Sequence, residues 1–88
     1  MTALIWLADK KIVLVGADNW AVEAQPGEDA LRFAEGHQQL LTRRGIYIHE
    51  NLNLAALAKD KVDEFVYVFV PVPLRGATGS PGSPIAIR

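Results

Sequence analysis

A chain of 88 residues and 9.6 kDa holds one small domain at most, since folding at this size removes only about 60–65% of the unfolded surface from water. Half of the residues are hydrophobic, and nine Lys and Arg stand against ten Asp and Glu for a net charge of −1. That balance excludes a disordered polyelectrolyte and offers no basic field for nucleic acid. With no cysteine, a disulfide scaffold, a zinc ribbon and a thiol nucleophile are excluded, so any metal must sit on His, Asp or Glu.

In chain order, Met1-Thr-Ala-Leu-Ile-Trp-Leu-Ala-Asp-Lys has no basic residue before its apolar run and no small-residue cleavage site after it. It does not read as a signal peptide, and a cytoplasmic location is the expectation. Thr2 is placed to cap a helix over 3–10, with Leu4, Leu7 and Ala8 on one side. The β-branched run Ile12-Val-Leu-Val, stopped by Gly16, predicts a central strand over 12–16 covered on both faces. From Ala17 to Glu35 the signals are mixed, and the segment reads as a long loop, of a length that is usually functional or incompletely packed. His37 to Arg44 predicts a two-turn helix with arginines in its last turn and Gly45 just beyond as a left-handed cap. A strand over 46–50 and a helix over 54–60 follow. Glu64 to Leu74 is the longest strand candidate, with Pro71 and Pro73 leaving one edge without donors. It carries the longest apolar run, which is about half of what a membrane-spanning helix needs, so no membrane crossing is expected. Arg75 to Pro84 reads as a loop before a terminal strand over 85–87.

The expectation is therefore an α/β fold, a mixed sheet of about four strands with two to three short helices in a single domain. Its core is expected from Leu7, Val13, Val15, Leu40, Leu41, Ile46, Ile48, Leu57, Val66 and Val68.

The chain has two histidines, so one copy cannot supply a three-histidine metal site. The constellation that remains is His37 with Glu50. A helix from His37 to Arg44 rises about 11 Å and the strand from Ile46 to Glu50 returns roughly 13 Å. If Gly45 reverses the chain, both side chains finish at the same end, where an imidazole and a carboxylate could bind a divalent cation. On the strand, Glu50 closes the row of Ile46 and Ile48, whereas His49 points the other way and is the weaker candidate. Spacing alone leaves the opposite reading open and in fact favours it: His37 starts a surface helix and Glu50 bonds Asn51 or meets water. Asp18, just after Gly16 at the end of a strand, is a pocket candidate by its place in an open α/β sheet, against the commoner reading of a turn residue. Trp20 lies in the same stretch. The loop Gly76-Ala-Thr-Gly-Ser-Pro-Gly-Ser follows no phosphate-loop pattern, and no serine stands in a nucleophile elbow.

Four stretches give the sequence a family likeness: Leu14-Val-Gly-Ala-Asp-Asn-Trp, His37-Gln-Gln-Leu-Leu-Thr-Arg-Arg-Gly-Ile-Tyr-Ile, Glu50-Asn-Leu-Asn-Leu, and Pro71-Val-Pro-Leu-Arg-Gly-Ala-Thr-Gly-Ser-Pro followed by Ile85-Ala-Ile. Together they resemble the C-terminal part of the cyclase family, the metal-dependent hydrolases that include bacterial kynurenine formamidase. The resemblance implies that His37 and Glu50 match ligands of a divalent metal, commonly zinc or manganese, with the Gly-Ala-Asp segment and so Asp18 close by. The family's hallmark, an upstream His-x-Gly-Thr-His-x-Asp stretch with a further His, is not in these 88 residues.

Two ligands cannot hold and open a catalytic metal that needs three plus a water. The expectation is thus a truncated cyclase-like protein without hydrolase activity alone, acting as an oligomeric small-molecule or metal-binding protein, with metal weak or absent in the isolated chain. The alternative is the C-terminal half of a split amide or lactone hydrolase, completed by a partner chain that bears the missing half. Its apolar surplus, with Trp6, Trp20, Phe65, Tyr67 and Phe69, points to a homo-oligomer, a dimer or tetramer.

Overall fold

The computed structural model describes residues 2–88. It contains three helices and four strands of three residues each, arranged in two compact units, Met1–Leu54 and Ala55–Arg88. No helix among the described residues is long and apolar enough to cross a membrane.

In the first unit, helix α1 (Thr2–Asp9) leads through a turn at Lys10 and Lys11 into strand β1 (Leu14–Gly16). Thr2 is the first helical residue rather than the cap, and the position before it lies outside the described residues. After the loop, helix α2 (Glu35–His37) runs on into a π-helical stretch, Gln38–Thr42. The expected helix therefore begins two residues early and carries a wide turn that periodicity alone does not announce. Gly45 sits at φ 64, where glycine pays no Cβ penalty, and its N–H donates to the Leu41 carbonyl at 3.1 Å, the simple left-handed helix stop. Strand β2 (Tyr47–His49) then pairs parallel to β1 with Val15 opposite Ile48.

Leu40 is the centre of this unit at 0% exposure, packed with Ala8 and Ile46 and ringed by Leu4, Ile12, Val15 and Ile48. The cluster joins α1, the π-helical stretch and the β1–β2 pair. It is small because a two-stranded sheet has two edges and little face. For the same reason the expectation of a central 12–16 strand is corrected. β1 has one partner only, pairing covers three residues, and Val13 is 78% exposed. Of the expected core, Leu40 and Ile46 are buried, whereas Val13, Leu41, Val66 and Val68 are exposed.

In the second unit, helix α3 (Ala55–Lys59) precedes strands β3 (Val66–Val68) and β4 (Ile85–Ile87). They pair antiparallel, with Val66 opposite Ile87 and Val68 opposite Ile85. The long 64–74 strand is thus reduced to three residues. Its only partner is three residues long, and Pro71 and Pro73 have no N–H with which to extend a ladder. The Val72 N–H between them donates to Ser80 Oγ at 3.2 Å instead. The fold class is a small mixed α/β one, and the single four-stranded sheet is replaced by two sheets of two.

Leu40→Ala should lower the unfolding free energy by about 2–5 kcal/mol, as buried leucine truncations do, while Val13→Ala should stay within about 0.5 kcal/mol. Urea titration of the two variants by circular dichroism checks the contrast, and equal losses would contradict this placement of the core.

Candidate functional site

The loop from Ala17 to Ala34 contains neither helix nor strand, yet its first half is tied to the chain beyond β2. The Ala17 N–H donates to the His49 carbonyl, the Leu52 N–H to Ala17 and the Asn51 N–H to Asn19, each at 3.0 Å. This ladder continues the line of the β1–β2 pair and sets Glu50 beside the start of the loop, where the Val22 N–H donates to Glu50 Oε1 at 3.2 Å. The next residue, Glu23, then reaches the start of α2.

Helix α2 needs that contact. Its N-cap is Ala34, at φ 50, with no side-chain hydrogen bond to the helix, so the first amide donors of the helix have no local acceptor. Glu23 supplies one from thirteen residues upstream. Its Oε2 accepts the Gly36 N–H at 2.7 Å, and its Oε1 accepts the His37 N–H at 3.0 Å. The same Oε1 lies 2.6 Å from His37 Nδ1. Gly36 is what lets the carboxylate in: a Cβ there would stand 2.9 Å from Glu23 Cδ and 2.5 Å from a Leu4 methyl.

On the other side of the ring, His37 Nε2 lies 3.1 Å from Glu50 Oε1. The structure therefore brings His37 and Glu50 together, and adds Glu23 behind the imidazole. The three side chains form a line rather than a ring of ligands, because the two carboxylates sit on opposite nitrogens. No group of three or more such side chains able to hold a metal converges among the described residues. The side chains of Glu23, His37 and Glu50 are 8%, 31% and 24% exposed, so the line runs from a buried anchor to an accessible end.

The hydrogen-bonding capacity of the ring defines what this end can do. With an acceptor on each nitrogen, only the imidazolium donates to both carboxylates. A neutral ring protonated at Nδ1 leaves the Nε2 lone pair facing a Glu50 oxygen, two acceptors that a cation between or beside them would reconcile. Two zinc ligands at 2.0–2.1 Å from the metal and 3.1 Å from each other subtend an angle of about 100° there, close to tetrahedral.

Asp18 and Trp20 are both exposed, and the main chain on either side of Asp18, at Ala17 and Asn19, bonds the segment around Glu50. A cavity of about 250 Å³ is lined by Leu4, Val22, Glu23 and Arg32 among others, but by neither His37 nor Glu50. Glu23 is the residue that sequence reasoning passes over. The available signal is negative: Ala34 occupies the capping position of a helix and cannot cap.

Comparisons of the chain with protein-family models, with curated proteins and with solved structures return no match.

Burial pushes the Glu23 carboxyl up, but the hydrogen bonds from the His37 ring and from the Gly36 and His37 N–H groups, with the ring's charge, hold it below the ordinary carboxylate value. A group depressed in the folded state contributes stability that is fully present above the unfolded value of about 4.3 and is lost as pH falls through the folded one. Wild-type stability should therefore decline with acid below about pH 4.3, and more steeply than that of Glu23→Gln. Thermal melts of both proteins between neutral and acid pH check this, and parallel profiles would contradict it.

Proposed function

We propose that the chain binds a divalent cation through His37 Nε2 and Glu50, as a metal-binding protein that does not hydrolyse amides by itself. The observation that carries the reading is the 3.1 Å approach of an imidazole nitrogen to a carboxylate oxygen with the ring's other nitrogen held by a second carboxylate at 2.6 Å. A metal-bound histidine is characteristically backed in this way, which fixes the ring and raises its basicity. Imidazole with carboxylate suits zinc or manganese. Two protein ligands leave most of the coordination sphere to water, so binding by one chain is weak.

The resemblance to the cyclase family leads to the same two residues. That kinship is part of the proposal, and the geometry is its support. A bound cation would supply Lewis-acid polarisation of a carbonyl oxygen. The residues present hold it at one nitrogen and one carboxylate and do no more.

The second reading, one part of a metal-dependent amide or lactone hydrolase completed by another polypeptide, is favoured by the partial exposure of both ligands, which leaves room for ligands from elsewhere. Assembly of copies belongs to the proposal too. Val66, Val68, Ile85 and Ile87 are all exposed and, by register, stand on one face of the β3–β4 sheet, an apolar row of the kind that interfaces cover.

Calorimetric titration of the purified chain with zinc or manganese should show weak binding, lost in His37→Ala and Glu50→Ala and kept in His49→Ala. Binding that survives His37→Ala would overturn the reading. The chain alone should turn over no N-formylkynurenine, and its sedimentation mass at micromolar concentration should exceed that of one copy.

A further inference from the structure

We infer that Glu23 is a positioning residue that decides which nitrogen of His37 is offered to a cation, by holding the ring proton on Nδ1 and leaving the Nε2 lone pair toward Glu50. The consequence for metal rests on the reading above; the tautomer is a property of the cation-free chain.

A neutral imidazole has one N–H to place between two carboxylates. Glu23 is the nearer acceptor, at 2.6 Å against 3.1 Å for Glu50. It is also the more buried, so its charge is less screened by water. Its position is enforced as well. Two backbone N–H groups of the helix start, at 2.7 and 3.0 Å, hold its two oxygens, and it cannot swing away from the ring without leaving both unpaired. Glu50 Oε1, by contrast, is shared with a single backbone donor, Val22 N–H, at 3.2 Å.

The carboxylate that caps the helix is thus also the one that selects the tautomer, and both tasks depend on the absence of a side chain at Gly36. His37 brings its main-chain and its ring donor to the same oxygen, which ties the rotation of the ring to the first turn of the helix. With Nδ1–H committed, the Nε2 lone pair is pre-oriented, as a metal ligand requires.

Long-range proton–nitrogen correlation of the ¹⁵N-labelled wild-type chain without metal, on the basic side of the ring's own titration, reads the tautomer directly. Nδ1 should carry the proton and Nε2 should not; the reverse would overturn the inference whatever any variant does. Zinc chloride titrated into wild type, Glu23→Gln and Glu23→Ala, and followed by the His37 ring resonances, reads the consequence. Glu23→Ala should lose the tautomer preference and weaken zinc by about 10–100-fold. Glu23→Gln, whose amide oxygen still accepts from Nδ1, should keep the tautomer and weaken zinc less. Equal zinc affinity in all three would overturn the positioning role. A wild-type chain with the Nδ1 proton in place and no response to zinc would end the metal reading and leave the hold of Glu23 on the ring intact.

Discussion

The Glu23 carboxylate accepts from two successive backbone N–H groups and lies 2.6 Å from the Nδ1 of the His37 ring, and the first unit is organised around that contact. The loop that carries Glu23 has no ladder of its own beyond its first residues, so this side chain ties it to the helix start, alongside local contacts at Asp29, Arg32 and Phe33. The helix start gains an acceptor that Ala34 does not provide. A carboxylate at a helix N-terminus is also favoured by the helix dipole. Hydrogen bonds to a charged acceptor are the stronger ones, and this acceptor is nine-tenths buried, where losing it would leave two amide donors unpaired at a cost of about 1–3 kcal/mol each.

The backbone around the site is held in conformations that L-residues adopt reluctantly. Ala21, Ala34 and Asn51 have φ of 57, 50 and 57. They precede Glu23 by two residues, precede His37 by three and follow Glu50 by one. A left-handed conformation costs an alanine about 1–2 kcal/mol, and two alanines persist in it only where the surroundings dictate the course of the chain. The π-helical stretch after His37 adds to this pattern, since such wide turns collect at functional sites. It also serves the core: the Leu40 carbonyl accepts the Ile46 N–H at 2.9 Å, joining the one fully buried side chain to the residue that opens the approach to β2.

The legible parts of the sequence were those with a local physical cause. Gly45 after two arginines marks a helix stop because glycine alone enters the left-handed region freely, and the helix ends there. Ile85-Ala-Ile after a Gly- and Pro-rich loop marks a strand, and β4 has those bounds. His37 and Glu50 could be placed at one end of a helix–strand pair because rise per residue is a property of the backbone. What stayed illegible was set by partners distant in sequence. Ile12 to Val15 has the composition of a central strand, but centrality depends on how many strands arrive beside it, and only β2 does. The extent of β3 is set by the length of β4 rather than by its own valines. Glu23 lies in a stretch whose composition suggests nothing, and its role appears only when the loop is folded against the helix.

The second unit shows where the apolar surplus of the sequence has gone. None of its residues is buried, although it carries Val66, Val68, Ile85 and Ile87 along one sheet face. A two-stranded antiparallel pair is marginal in water by itself. Each of these side chains contributes about 1.5–3 kcal/mol when fully buried, so covering that face would stabilise the unit. The surface that does so must itself be apolar, because a polar one would lose its hydration without gaining partners from four hydrocarbon side chains. A second copy presenting the same row meets that condition by construction, since a two-fold interface sets each patch against its own equivalent.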